Sequence, residues 1–182
     1  MSIEADRVGK SGRFEAVRIV LFAMLAAIAY GILHDLVTAH LCVEYFTVAH
    51  PPVFPTSSPF LLGLGWGIIA TWWVGLLLGI ALAAAARLGP RPRLGLAELR
   101  RPILLVMLAS ALAAFLTGIA GAFLASAGLA PLPTDLGFPI PAGRHVSFFA
   151  VSLAHAASYL AGAVGGLVVI VLTVRKRTRR PS

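Results

Sequence analysis

The chain has 182 residues, of which 59% are hydrophobic and 12% charged, with a mean hydropathy of +0.91. An ordinary soluble domain carries about twice that charged fraction, so the composition excludes one and predicts an integral membrane protein with no separate soluble domain. Fifteen Lys and Arg against seven Asp and Glu give a formal charge of +8, but the basic residues flank apolar runs, so the charge reads as topology and no nucleic-acid partner is expected.

The first apolar run, Ile19 to Val37, follows Arg7, Lys10, Arg13 and Arg18. It begins like a signal peptide. Its apolar stretch is too long for one, and Ala39-His40-Leu41 lacks the small-residue pair a signal peptidase needs, so it is expected to remain as an anchor. The second run, Phe60 to Ala86, has no charged residue, carries Trp66, Trp72 and Trp73, and stops at Arg87. It is long enough to cross the hydrocarbon with some tilt. The third, Ile103 to Ala127, starts after Pro102, which suits a first helical turn. The fourth, Val146 to Val174, ends in Arg175, Lys176, Arg177, Arg179 and Arg180. These spans (19–37, 60–86, 103–127, 146–174) predict an all-α, four-helix membrane bundle forming a single domain.

Orientation follows from the basic residues. Four precede the first span, five lie between Arg87 and Arg101, five follow the last span, and Arg144 alone stands elsewhere. The positive-inside rule then assigns both termini and the middle loop to the cytoplasm, as in a bacterial inner membrane. The loops Thr38 to Pro59 and Gly128 to His145 face outward. Each holds four prolines, so both are expected to be ordered, non-helical caps.

All five histidines, His34, His40, His50, His145 and His155, fall on the outer side, together with Asp35, Glu44 and Asp135. Histidine is a common metal ligand and a proton carrier near neutral pH. His34 and Asp35 lie near the outer end of span one, where they either cap the helix at the interface or face a polar cavity. His155 lies about 13 Å into span four and can share a stripe with Ser152 and Tyr159. It is either packing glue hydrogen-bonded to another helix or a ligand opposite His34 and Asp35. His40 and Glu44, one turn apart if their segment is helical, form a weaker metal pair that His50, His145 or His155 can complete. The alternative for that segment is an amphipathic stretch on the outer surface, with Tyr45 and Phe46 at the headgroups. Gly75-x-x-x-Gly79 and Gly162-x-x-x-Gly166 predict close helix contacts.

Other chemistries lack support. Cys42 is the single cysteine, which excludes an intramolecular disulfide and argues against a thiol oxidoreductase. The sequence contains no metalloprotease His-Glu-x-x-His, no Gly-x-Ser-x-Gly and no phosphate-binding glycine loop.

His34-Asp35-Leu36-Val37-Thr38, Glu44-Tyr45-Phe46-Thr47, His50-Pro51, Gly65-Trp66-Gly67 and Trp72-Trp73-Val74-Gly75 together resemble a group of small multi-span bacterial membrane proteins without an assigned activity. The resemblance covers about the first half of the chain and implies membrane location, not catalytic residues. Members often carry Gln where this chain has Leu36, and Ser-Pro where it has Cys42-Val43.

Two functional readings stand at this point. One is a periplasm-facing pocket in which His34, Asp35 and His155, with a subset of His40, Glu44 and His50, bind a transition metal for metal handling or a redox reaction. The other is a non-enzymatic scaffold or assembly factor whose glycine-rich faces pack on another membrane protein. A b-type haem held by His34 and His155 is a further candidate. A carrier is disfavoured because the cytoplasmic halves of the spans hold no ionisable residue.

Overall fold

The computed structural model describes residues 2–179, with side chains from residue 12 onward and without that of residue 136. Of the basic residues that flank the spans, Arg180 and the side chains of Arg7 and Lys10 lie outside the described residues. The described chain is all helical: α1 (Ser2–Leu41), α2 (Val43–Thr47), α3 (Pro59–Ile69), α4 (Trp72–Arg87), α5 (Leu96–Ser126) and α6 (His145–Thr178). Short 3-10 turns at Pro133–Leu136 and Ala142–Arg144 shape the second outer loop. Four segments, Gly12–Leu41, Pro59–Arg87, Leu96–Ser126 and Ala142–Thr178, are long and apolar enough to cross a membrane. Their outward faces are apolar too, with Leu25, Phe115, Leu160 and Leu167 all exposed. Water would not tolerate so continuous a belt.

The helices run further than their apolar cores. Helix α5 starts at Leu96 because carboxylates supply its first acceptors: Glu98 accepts from the Gly95 N–H at 3.2 Å, and Glu15 of α1 accepts from the Leu96 N–H at 2.7 Å. Pro102 therefore sits inside α5 rather than in its first turn. The second apolar run is two helices, broken at Ala70 and Thr71. The Thr71 hydroxyl donates to the Gly67 carbonyl, which holds the two pieces in register.

Gly63, Gly67, Thr71, Gly75 and Gly79, each four residues from the next, form one stripe along α3 and α4. The backbone of α1 lies directly on it. A Cβ on Gly63 would stand 2.7 Å from Leu36 Cα, and one on Gly67 2.5 Å from Ile32 Cα. Helix α5 packs along α6 in the same way, and the two hairpins meet through α4 on α6 and α1 on α5. Helices α1 and α6 thus face each other across the middle of the bundle. Ile19, Leu82, Leu99 and Ile103 close the end nearer the two termini, named the inner end after the orientation expected from the basic residues. Cys42, Ile140, Phe148 and Val151 pack at the outer end.

Candidate metal centre

The outer half of the bundle brings α1 and α6 together through polar side chains. Tyr30 and Ser158 share a hydrogen bond of 2.7 Å between their hydroxyl oxygens. One turn further out, Asp35 and His155, each 4% exposed, meet at 3.2 Å between Oδ1 and Nε2. The His34 ring stands edge-on to His155 with centroids 4.5 Å apart. One potential ligand atom from each of His34, Asp35 and His155 lies within 4.8 Å of the others. Two of these residues are neighbours on α1, about 100° apart around the helix, and both reach His155 of α6.

Proton placement at His155 is constrained. Its Nδ1 lies 3.0 Å from the Val151 carbonyl, and a carbonyl only accepts, so Nδ1 carries a proton and donates it. In a neutral ring, Nε2 then presents a lone pair to the Asp35 carboxylate. Two acceptors do not attract, so an extra proton or a metal cation must lie between them. A ring whose far nitrogen donates to a backbone carbonyl is oriented as metal-binding histidines commonly are. His34 supplies the complementary observation: among the described residues its Nε2 is buried and has no hydrogen-bond partner.

Aromatic side chains roof the centre. The Tyr45 ring lies 4.4 Å from His155, and Phe46 lies 5.7 Å from it. His50 stands behind them, 4.8 Å from both Tyr45 and Trp66. Its Nδ1 donates to the Tyr45 carbonyl at 2.7 Å. Burial pushes the Tyr45 phenol well up, with the Tyr159 and Asp35 charges adding to the shift, so it stays protonated.

The other expected ligands lie elsewhere. Helix α1 ends at Leu41 and α2 begins at Val43, so His40 and Glu44 do not share a helix face. His40 is exposed and turns back to donate to the Leu36 carbonyl at 2.6 Å. Glu44 is paired across the outer surface with Arg144, whose Nε lies 3.0 Å from each carboxylate oxygen. Burial pushes the Glu44 carboxyl up, but hydrogen bonds from its own N–H, Arg144 and Cys42 more than offset this and hold it below the usual range. Arg144 also donates to the Leu41 carbonyl at the end of α1. His145 donates to the Ile140 carbonyl at 2.9 Å. Burial raises the Cys42 thiol, which is fully enclosed and donates toward Glu44 at 3.4 Å.

Several contributors escaped sequence reasoning. Tyr30 is one turn before His34, and that spacing was the available signal for its place on the same face. Arg144 stood out as the lone basic residue outside, and Glu44 was an opposite charge available to it. Ser158 was marked by its place three residues after His155, whereas Ser110 carried no signal. The Ser152 hydroxyl donates to the Phe148 carbonyl of its own helix, an ordinary local bond.

The touching His34 and His155 rings leave no room for a haem plane, which must lie between its two axial ligands. A single ion fits better. Arms of about 2.1 Å give a tetrahedral edge of ~3.4 Å, which the Asp35–His155 pair at 3.2 Å already matches, so binding would chiefly draw His34 toward that pair. No protein-family model, curated protein or solved structure matches the chain.

Proposed function

We propose that this is a multi-pass protein of a bacterial inner membrane, with both termini cytoplasmic, whose outer-side His34, Asp35 and His155 bind a transition-metal ion. Fourteen of the fifteen basic residues on the predicted cytoplasmic side support the orientation. The resemblance to small bacterial multi-span proteins supports the location. The observation that carries the metal is the convergence of two imidazoles and a carboxylate within 4.8 Å in a buried setting, with His34 Nε2 lacking a protein partner. Two nitrogens and one oxygen suit zinc, iron(II), copper or nickel better than magnesium or calcium, which prefer all-oxygen shells. Three protein ligands also leave a position for an outside molecule, as sites for metal handling or redox chemistry require.

The scaffold reading asks for a small-residue face free to receive a partner. Gly75 and Gly79 press against α1, and Gly166 meets Leu78, so these glycines serve the bundle's own contacts. The test is elemental analysis of protein purified from native membranes with a tag that contains no histidine. About one equivalent of a transition metal is expected, lost in a His34→Ala, His155→Ala variant that remains folded. Metal-free protein that is otherwise native would overturn the proposal.

A further inference from the structure

The end of the bundle nearer the termini holds a second convergent cluster, about 33 Å along α1 from His34. The turn between α4 and α5 carries Arg87, Arg91 and Arg93, and its path is fixed. Gly89 turns it with φ 82°, a left-handed conformation that glycine adopts without strain, and the buried Arg177 of α6 donates to the carbonyls of Leu88, Arg91 and Pro92. Arg87 Nη1 donates to the Leu94 carbonyl at 3.0 Å, which orients its guanidinium. The rest of that fork reaches α1. A Cβ on Gly12 would stand 3.7 Å from Arg87 Nη2 and 3.3 Å from Arg93 Nη1. Two guanidinium groups from one turn therefore approach the same point on α1, and the missing side chain at position 12 leaves that point open. Arg93 is exposed, so it can be reached from outside.

Topology alone does not ask for this arrangement. Basic residues that only mark the cytoplasmic side are free to extend into water, away from one another, whereas these converge, and the charges of Arg87, Arg91 and Arg93 also bear on Arg177. The carboxylates within reach serve other partners. Glu15 feels Arg87, but it accepts from the Leu96 N–H at 2.7 Å and pairs with Arg18 at 2.9 Å, and Glu98 pairs with Lys176 at 3.5 Å. Among the described residues the cluster thus keeps an excess of positive charge, and convergent guanidinium forks match the oxygens of a phosphate. The surroundings select the kind of phosphate. Gly12 opens one long apolar segment and Arg87 closes another, and Phe14 and Leu88, beside them in the chain, are 67% and 71% exposed. A phosphate held at that level has hydrocarbon next to it, which suits a lipid headgroup and not a free ion.

We propose that Arg87 and Arg93, meeting at Gly12, bind the phosphate of an anionic phospholipid of the phosphatidylglycerol type. Arg87 supplies a fixed fork, Arg93 closes on the phosphate from the exposed side, and Arg91 adds charge. The acyl chains lie against Phe14 and Leu88. A choline lipid would bring its own cation to four arginines and is disfavoured by like-charge repulsion. The site uses none of the residues assigned to the metal, so the two proposals stand separately.

The test is native mass spectrometry of the full chain released from detergent micelles that contain phosphatidylglycerol or phosphatidylcholine. One phosphatidylglycerol is expected to stay bound, at a severalfold lower lipid concentration than phosphatidylcholine requires. The double variant Arg87→Gln, Arg93→Gln is expected to cut that retention severalfold. Arg100→Gln with Arg101→Gln removes the same charge from exposed positions on α5 and is expected to leave it unchanged. Because Arg87 also serves the Leu94 carbonyl, Gly12→Leu provides a second variant that keeps every charge. Its side chain would displace only the flexible ends of two arginines while filling their meeting point, so a severalfold loss of retention is expected with little change in Tm. Equal loss in the two charge variants, or full retention in Gly12→Leu, would overturn the proposal and reduce the cluster to general basic charge. Inorganic phosphate at millimolar concentration is expected to leave the lipid in place, and displacement by it would overturn the lipid in favour of a free phosphate.

Discussion

At the inner end of the bundle, Arg177 is 4% exposed and donates to the carbonyls of Ala85, Leu88, Arg91 and Pro92. At the outer end, His34 Nε2 is closed off from solvent and engages nothing among the described residues. Arg177 supplies donors to the end of α4 and to the turn that follows, whose carbonyls would otherwise be orphans. It behaves as a structural pin. The outer cluster does the reverse, because an apolar residue at position 34 would remove an unsatisfied group. A polar group fully satisfied by the protein holds the fold together, whereas one left unsatisfied in a cavity is available to a ligand.

The contrast is most easily broken at Arg177. Arg177→Met would strand four carbonyls, and removal of a buried, multiply bonded cation costs on the order of 3 kcal/mol. The expected result is a large fall in Tm in detergent, with the surviving folded fraction still able to bind metal. Arg177→Lys should recover little of it, since one ammonium cannot reproduce the guanidinium fork. An unchanged Tm in Arg177→Met would remove the structural half of the comparison.

The outer end should respond with divided signs. In metal-free protein, His34→Leu is expected to leave Tm unchanged or raise it, by up to about 1–2 kcal/mol, because it deletes a buried unpaired atom. His155→Ala removes the partners of Asp35 and Val151 and should lower stability by about 1–3 kcal/mol. Both should weaken metal binding at least tenfold. If His34→Leu destabilised the metal-free protein as strongly as His155→Ala, His34 would be a packing residue and the metal reading would lose its main support. Ser110→Ala offers a smaller version of the same check, since Ser110 Oγ is also buried without a partner among the described residues, with a neutral or slightly positive effect on Tm expected.

These two ends were unequally legible in the sequence. The expected spans 19–37, 60–86 and 146–174 fall within the long apolar segments and 103–127 overruns its own by one residue, because twenty consecutive apolar residues leave few alternatives to a helix. The break at Ala70 and Thr71 was hidden, since no proline or charge marks it. His34, Asp35 and His155 were visible because ionisable residues in apolar segments are costly. His40 and Glu44 were misleading companions, because their spacing has meaning only on a continuous helix and the chain breaks at Cys42. Arg177 was invisible for the opposite reason. Among five basic residues it read as topology, and nothing local distinguished the one whose position on α6 turns it inward.

The smallest expected effect tests whether the aromatic roof is held from outside. Helix α2 carries Tyr45 over His155, and Glu44 on the same helix is tied to Arg144 at 3.0 Å, with side-chain exposures of 21% and 37%. So exposed a pair contributes at most about 1 kcal/mol. The Glu44 carboxyl is held below its ordinary value, so its contribution is present above the unfolded value, ~4.3, and disappears as pH falls through the lower folded value. The Tm advantage of the native chain over Glu44→Gln should therefore be small at pH 7 and vanish in acid below that range. Metal stoichiometry at pH 7 should be unaffected, since Glu44 is not among the ligands. A loosened α2 should still uncover His155 more often, so Glu44→Gln is expected to exchange metal with a chelator severalfold faster. An unchanged exchange rate would mean that Tyr45 and Phe46 stay in place through their ring contacts alone.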